Sequence, residues 1–202
     1  MKLTKFTHAC VRLEHAGGVV VIDPGIWSEP SALAGADAVL VTHEHGDHID
    51  VLRLAGLGVP VYAPAAARID GVPVRGVTAG EKFEAGGFRI RAVGGRHAYV
   101  HGEQPDCANL GYVIDDTIYH PGDSLFVPKA RLETLFVPVH ASWLKTTEAI
   151  DFVNAVRPKQ AYPIHDGQVN ERGLAGTNRW LSQETGVYRH LAVGESVPVG
   201  AA

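Results

Sequence analysis

The segment THEHGDHID, residues 42–50, places three histidines and two aspartates directly after the apolar run DAVLV. Imidazole and carboxylate groups are the usual protein ligands of zinc and other first-row divalent ions. His43 and His45 lie two residues apart, and Asp47 and His48 add a carboxylate and a third imidazole. Zinc takes about four ligands, and a catalytic zinc keeps one position for water. So dense a set therefore indicates two metal ions, with a solvated, metal-free charged loop as the alternative.

Other titratable residues follow other apolar runs in the same way. His97 comes after RIRAVGGR, His165 after AYPI, Asp123 after IYHPG and Asp23 after VVVI. In layered folds the strand ends converge on one rim, where loops hold polar groups on a rigid scaffold. We therefore expect these four residues to join the histidine segment at one site.

Short strands are predicted around these residues. The segment LTKFTHACVRLEH alternates apolar and polar residues as a strand does, which places Cys10 in the core. A turn at Ala16-Gly17-Gly18 leads into the apolar run VVVI. The runs ADAVLVT, VPVYAP, ETLFVPV and KQAYPI are typical of buried strands.

Two hairpins and two helices complete the predicted elements. The hairpins turn about Gly86-Gly87 and Asp115-Asp116, and the helices cover Ile49–Ala55 and Thr147–Val156. The chain shows no linker, low-complexity stretch or fixed-period repeat. Residues 1–202 are therefore expected to form one domain with two sheets and helices on the outside.

Composition excludes several classes of function. The net charge is −4, with 46% hydrophobic and 20% charged residues and no basic run, which argues against nucleic acid and anionic membranes as partners. The N-terminal segment MKLTKFTHACVRLEH has no continuous apolar stretch, which predicts a cytoplasmic protein without a membrane span. The two cysteines match neither a CxxC pair nor a disulfide framework.

The sequence resembles the metallo-β-lactamase superfamily along nearly its whole length. HEHGDH matches the His-x-His-x-Asp-His signature, which is the second of five motifs. Asp23 in VVVIDPG matches the first motif, His97 the third, Asp123 in YHPGDS the fourth and His165 in YPIHDG the fifth. Shorter matches at THACVRLE, IDPGIWSEP and VGESVPV resemble a compact branch that includes ascorbate-6-phosphate lactonase-like and N-acyl phosphatidylethanolamine phospholipase D-like proteins. The resemblance implies an α+β fold, the αββα four-layer sandwich of two mixed sheets with helices on the outside.

The resemblance also implies the metal ligands, which fall into two groups and a bridge. One ion is assigned to His43, His45 and His97, the other to Asp47, His48 and His165, and Asp123 bridges the two. The ions are expected to be Zn²⁺, with Mn²⁺ or Fe²⁺ as alternatives. A bridging water would lose its proton near neutral pH and supply hydroxide as the nucleophile. Asp47 could also orient that hydroxide, and Asp23 is expected to order the histidine loop through hydrogen bonds.

Four further histidines have open roles. His140 in PVHASWL follows a predicted strand where the related branch often has small residues, and we predict that it is catalytic, with structural packing as the alternative. His8 is expected to approach the site or to be an edge histidine. His101 could contact substrate or be exposed, and His120 is expected to orient the turn before Asp123.

These residues predict a dinuclear metal-dependent hydrolase acting on a small-molecule lactone, ester or phosphodiester. The alternatives are a nucleic-acid phosphodiesterase on the same fold and a non-catalytic metal-binding sensor. About forty residues follow His165, too few for the extra domain that related nucleases often carry. Substrate choice depends on the loops Gly25–Gly35, Ala98–Cys107 and Ser124–Arg131. The sequence leaves the substrate, the native metal and the oligomeric state open.

Overall fold

The computed structural model describes residues 1–102, 104 and 107–199. Short extended segments dominate this part of the chain. The strands are β1 Lys2–Lys5, β2 Val11–His15, β3 Gly18–Ile22, β4 Ala38–Leu40, β5 Val61–Pro64, β6 Val74–Val77, β7 Lys82–Ala85, β8 Phe88–Gly94, β9 Leu110–Ile114, β10 Ile118–His120, β11 Thr134–Pro138, β12 Gln160–Ile164 and β13 Ser196–Pro198.

The strands form two mixed sheets. The first has the order β13-β1-β2-β3-β4-β5-β6, with antiparallel pairs up to β3 and parallel pairs from β3 to β6. The second has the order β12-β11-β10-β9-β8-β7, antiparallel from β7 to β10 and parallel from β10 to β12. The two predicted hairpins are β7–β8 and β9–β10. Asp115 and Asp116, in the second turn, both have positive φ angles, which aspartate tolerates better than most residues.

Helices cover the outer faces of both sheets. They are α1 Val51–Leu54, α2 Thr146–Val156, α3 Glu171–Thr185 and a 3₁₀ helix Pro30–Leu33. The Asp50 side chain caps α1 by accepting from Arg53 N, and Asn170 caps α3 by accepting from Gly173 N. No helix in the described part of the chain is long and apolar enough to cross a membrane.

Three apolar layers separate the sheets and helices. The central layer, which includes Leu13, Ile22, Phe88 and Tyr112, lies between the sheets. A second layer packs α2 and α3 against β11 and its neighbours, and a third packs α1 and the 3₁₀ helix against the other sheet. This arrangement is the four-layer αββα sandwich, so the predicted fold class is confirmed.

Two local features differ from the sequence prediction. The alternating segment at the start of the chain is not continuous, because residues 6–10 form a loop in which His8 has φ 66° and Cys10 is buried. Helix α3 was not predicted, because Leu181 is its only fully buried residue and its other faces are polar. The loop after β1 brings His8 to the site described below.

Candidate metal centre

The carboxyl ends of six strands carry the residues of the site to one edge of the sandwich. His8 follows β1, Asp23 follows β3, His43 follows β4, His97 follows β8, Asp123 follows β10 and His165 follows β12. Asp23 and His165 have left-handed φ angles of 49° and 61°, so the chain turns sharply where each strand ends. The segment His43–His48 forms the loop between β4 and α1 and supplies the remaining groups.

The potential ligand atoms lie within 4.8 Å of one another in three overlapping groups. All seven predicted ligands belong to these groups, and His8 is added to them. The groups are His43, His45 and His97; His8, Asp47, His48 and His165; and His43, His48 and Asp123. The first group contains the residues assigned to one ion, and the second contains those assigned to the other.

Each of the five predicted imidazole ligands has one ring nitrogen bonded to a group outside the cluster and the other turned inward. Such partners fix the orientation and tautomer of a metal-binding histidine. The outer contacts are His43 Nδ1 to Thr42 Oγ1 at 3.1 Å, His48 Nδ1 to Asp23 Oδ2 at 2.7 Å, His97 Nδ1 to Ala98 O at 2.7 Å, His165 Nδ1 to His140 O, and His45 Nε2 to Cys107 Sγ at 3.8 Å. The inward atoms are therefore Nδ1 of His45 and Nε2 of the other four.

Asp23 connects two of these contacts. Its Oδ1 accepts from Thr42 N and its Oδ2 from Thr42 Oγ1, each at 2.7 Å. Because the Thr42 hydroxyl donates to Asp23, it can accept from His43 Nδ1. Asp23 is completely buried and also holds His48, so the prediction that it orders the histidine loop is confirmed.

Asp123 lies between the two predicted ligand groups. Its Oδ2 is 3.3 Å from His97 Nε2 and 3.0 Å from His165 Nε2, and its Oδ1 is 3.1 Å from His48 Nε2. The backbone N–H of Asp123 donates to the side chain of Asn109. One carboxylate thus contacts members of both groups, which is the position that a bridging ligand requires.

Burial keeps several imidazoles of the site neutral. It lowers the pKa of His43 well below the ordinary value and also lowers the pKa of His45 and of His8. Burial would raise the pKa of Asp47, but the hydrogen bond from His8 and the charge of His48 bring it down to about 2. Neutral imidazoles and ionised carboxylates are the forms that bind metal.

His48 behaves differently from these histidines. Burial alone would lower its pKa, but Asp123 and Asp23 outweigh burial and hold it well above the ordinary value. Burial would raise the pKa of Asp123, but its electrostatic and close contacts with His48 and His165 hold it well below the ordinary range. Without metal, the centre therefore holds a proton on His48 between two carboxylates.

The donor set fits a metal. Three buried atoms have no hydrogen-bond partner among the described residues: His48 Nε2, Asp123 Oδ1 and His165 Nε2. Their contacts of 3.0–3.1 Å are short enough for ion pairs but lack hydrogen-bond geometry. Buried polar atoms without partners are costly, and metal coordination would satisfy all three. The mixed nitrogen and oxygen set suits Zn²⁺, Mn²⁺ or Fe²⁺.

A cavity of about 280 Å³ is lined by five of the predicted ligands, His45, Asp47, His97, Asp123 and His165. Beyond the metal-facing residues, the described residues that line it have uncharged side chains. They are Val100, Gln104, Ala141, Ser142, Trp143 and Gln168. The Trp143 indole N–H donates to Asp123 Oδ2 at 3.3 Å. Of the three predicted substrate loops, Ala98–Cys107 contributes lining residues, and its residues 103, 105 and 106 lie outside the described chain.

His140 contacts the centre through its backbone. Its side chain is exposed and does not line the described cavity, because the residue contributes its backbone carbonyl to His165 Nδ1 instead. The strand-end position was correctly identified, but the contact with the site is made by the backbone. The catalytic role of the His140 imidazole stays a prediction.

Two other histidines whose roles the sequence left open are His120 and His101. His120 accepts from Gly122 N and contacts Ala9 O, so it orients the turn before Asp123 as predicted. His101 is exposed, beside Gln104. Sequence reasoning missed Cys107 and the indole of Trp143 as partners of metal-facing residues, because neither lies close to its partner in the sequence.

Comparison with known proteins agrees with this geometry. A family model described as "Beta-lactamase superfamily domain" matches residues 2–165. Protein Rv0786c of Mycobacterium tuberculosis is 39% identical over 188 residues, which are 86% of this chain and 89% of that protein. A UPF0173 metal-dependent hydrolase of Carboxydothermus hydrogenoformans is 28% identical over 191 residues, covering 82% and 84% of the two chains. The chain belongs to the β-lactamase superfamily, and the predicted class of metal-dependent hydrolase is confirmed at the level of the family.

Solved structures show the same fold with different chemistries. The metallo hydrolase Igni18 of Ignicoccus hospitalis has a TM-score of 0.75 at 21% identity, with 97% of each chain covered. An isothiocyanate hydrolase from Delia radicum gut bacteria has a TM-score of 0.70 at 18% identity, with 100% of both chains covered. The diiron β-hydroxylase CmlA of Streptomyces venezuelae has a TM-score of 0.73 at 16% identity, covering 98% of this chain and 54% of CmlA. At these identities the comparison establishes the fold but not the reaction, which has to be inferred from the residues of the site.

Proposed function

We propose that the protein, as one domain, is a dinuclear metal-dependent hydrolase that acts on a small-molecule lactone, ester or phosphodiester. The observation that carries the proposal is the set of three buried atoms without partners, on His48, Asp123 and His165. Asp123 joins the group of His43, His45 and His97 to the group of Asp47, His48 and His165 through contacts with both. When bound, two divalent ions would supply hydroxide at neutral pH and polarise the bond to be cleaved.

The residues of the chain have distinct roles in this proposal. Burial keeps His43 and His45 neutral, so their inward nitrogens offer lone pairs. Asp123 and Asp47 are ionised and offset part of the positive charge of the ions. Asp47 is half-buried and lines the cavity, so its carboxylate can orient the nucleophilic water towards a substrate there.

The lining of the cavity favours a small substrate without several charges. Trp143 and Val100 offer apolar contact, and Gln104, Ser142 and Gln168 offer neutral hydrogen-bonding groups. A polyanion such as RNA or DNA is generally held by several Lys and Arg contacts to its phosphates. The described lining, neutral beside a dication pair, instead suits an acyl compound or a single phosphodiester, which supports the small-molecule hypothesis over the nuclease alternative.

Metal analysis and a substrate panel test the proposal. We expect two metal ions per chain after loading with Zn²⁺ or Mn²⁺, and turnover of at least one compound in a panel of lactones, esters and phosphodiesters. Asp123→Ala should weaken binding of both ions and abolish hydrolysis. Its matched control, Asp116→Ala, changes an exposed carboxylate in the β9–β10 turn and should leave both unchanged.

Three results would contradict the proposal in different ways. A stoichiometry that stays near one ion under saturating metal would refute the dinuclear centre. Full metal loading without turnover of any panel member would favour the non-catalytic sensor. Cleavage of nucleic acid that is strongly inhibited by salt would favour the nuclease.

A further inference from the structure

His8 is buried against the metal centre, and its ring contacts Asp47. Its Nε2 lies 3.1 Å from Asp47 Oδ2, and its ring centroid lies 4.0 Å from that of His165. By distance alone His8 could be a ligand, because its nitrogen lies within 4.8 Å of the ligand atoms of Asp47, His48 and His165. Its hydrogen bonds show a different role.

The second nitrogen of His8 faces a donor. The backbone N–H of Gly167 donates to His8 Nδ1 at 3.1 Å. An imidazole nitrogen that accepts a hydrogen bond carries no proton, so the proton of this neutral ring is on Nε2. Nε2 therefore donates to Asp47 Oδ2.

Four of the five imidazoles assigned as ligands have the opposite pattern. Their outer nitrogens face a carboxylate, carbonyl or hydroxyl oxygen that accepts, and the outer nitrogen of the fifth, His45, faces the sulfur of Cys107. A proton on the outer nitrogen leaves the inner one free to bind metal. If His8 bound metal through Nε2, its proton would move to Nδ1 and point at the Gly167 N–H. Two hydrogen-bond donors, the Nδ1–H of His8 and the backbone N–H of Gly167, would then face each other in a buried contact.

Hydrogen bonds from two further residues, Lys5 and His165, hold the loop that carries His8. The ammonium of Lys5, which is completely buried, donates to Phe6 O, His8 O and Asp166 Oδ1. The N–H of His165 donates to His8 O at 3.2 Å. The chain segment with His8 is thus tied to the segment 165–167 independently of any metal.

Gly167 is needed for this close approach. A Cβ atom at residue 167 would lie 3.1 Å from His8 Nδ1 and 3.2 Å from His8 Cβ, which is tighter than ordinary contacts. The N–H of residue 167 can reach the ring because no side chain stands between them. The tautomer of His8 is therefore fixed by a backbone N–H, that of Gly167, in the segment that follows β12.

We propose that His8 is a positioning residue that binds no metal and donates a hydrogen bond from Nε2 to hold the Asp47 carboxylate towards His48 and His165. This inference rests on the proposed function, since it assigns Asp47, His48 and His165 to one ion. Asp47 Oδ2 lies 3.9 Å from His48 Nε2 and 3.7 Å from His165 Nε2, so a small rotation of the carboxylate would remove it from this group. Loss of the donor should weaken binding of the ion assigned to that group. Binding of the ion assigned to His43, His45 and His97 should stay unchanged.

A matched pair of substitutions separates the donor from the rest of the residue. In His8→Asn the amide can still accept from Gly167 N–H but is too short to reach Asp47. In His8→Gln the amide N–H₂ reaches approximately the position of Nε2 and can donate to Asp47. Asparagine also tolerates the left-handed φ of residue 8, so the Asn variant is expected to fold.

Zn²⁺ titration against a competing chelator is the first measurement. We expect His8→Asn to lose about 10–100-fold in affinity for one of two ions, the range typical when such a partner is removed. His8→Gln should retain most of that affinity. Equal losses in both variants together with a lowered Tm would indicate a merely structural role, and wild-type affinity in His8→Asn would overturn the proposal.

Nitrogen-15 NMR of the histidine rings is the second measurement. We expect His8 to show the Nε2–H tautomer in the metal-free protein and to keep that proton after Zn²⁺ is added. Loss of the Nε2 proton on adding Zn²⁺ would make His8 a ligand and overturn the proposal. A wild type that holds only one ion would refute the dinuclear function, while the tautomer in the metal-free protein would still decide the role of His8.

Discussion

Binding of Zn²⁺ to the metal-free protein should release a proton from His48. Both ring nitrogens of this buried residue face carboxylates, Asp23 Oδ2 at 2.7 Å and Asp123 Oδ1 at 3.1 Å. Together these carboxylates outweigh burial and hold the pKa of His48 well above the ordinary value. The imidazole is therefore charged at neutral pH and must lose its proton before Nε2 can bind a metal.

The protonation states of the ligand residues determine how many protons are released on metal binding. His43 and His45 are already neutral because burial lowers their pKa, and Asp123 is already ionised, so none of them contributes a proton at pH 7. We expect about one proton from His48, and up to one more if a bound water ionises. Because the raised pKa keeps His48 protonated at neutral pH, the affinity should rise with pH and level off above that pKa. Each linked proton changes the affinity about tenfold per pH unit, or about 1.4 kcal/mol.

Calorimetric titration in two buffers of different ionisation enthalpy measures the number of protons released. Asp23→Asn removes one of the two carboxylates that face His48, so this variant should release about one proton fewer at pH 7. Asparagine tolerates the left-handed φ of residue 23, and a melting curve checks that the variant is folded. Asp116→Asn, in the β9–β10 turn, serves as the control and should match the wild type. The reasoning is refuted if the wild type and Asp23→Asn release the same number of protons.

Three further substitutions test individual contacts. His140→Ala keeps the carbonyl that orients the neighbouring ligand, so metal content and kcat should stay near wild-type values; a large loss of kcat with intact metal content would support the predicted catalytic role of its imidazole. Gly122→Ala places a Cβ 2.3 Å from Asn109 Oδ1 at a φ of 62°, so Tm should fall by at least about 2–4 °C and metal retention should drop, and an unchanged melting curve would contradict this. Trp143→Phe removes one hydrogen bond to Asp123 worth about 1 kcal/mol and should lower metal affinity about fivefold in a chelator competition, whereas wild-type affinity would show that the indole only lines the cavity.

Much of the metal centre could be predicted from the sequence for a physical reason. Asp23, His97, Asp123 and His165 each follow a short strand closely, and strand ends of one sandwich edge converge. The hairpin turns were also accessible, because Gly86-Gly87 and Asp115-Asp116 are turn-forming pairs that interrupt strand-like runs. Residue type together with strand-end position was enough to collect the candidate ligands.

Other features depended on contacts that local patterns do not encode. Helix α3 buries only Leu181 completely, so its sequence carries little apolar periodicity. The alternation of residue types through residues 2–14 concealed the loop at His8, where three successive residues, 8 to 10, are all buried. For His140, the sequence correctly placed the residue at a strand end but could not distinguish a backbone contact from a side-chain contact.

The difference between His8 and the ligand histidines shows where residue type stops being informative. All of these imidazoles are at least half-buried and lie at one site, so composition and position treat them alike. What separates them is whether the outer nitrogen meets an acceptor, as in His43, or a donor, as in His8. The donor belongs to Gly167, 159 residues away in the chain. The tautomer, and with it the choice between ligand and hydrogen-bond donor, is therefore determined by the fold that brings two strand ends together.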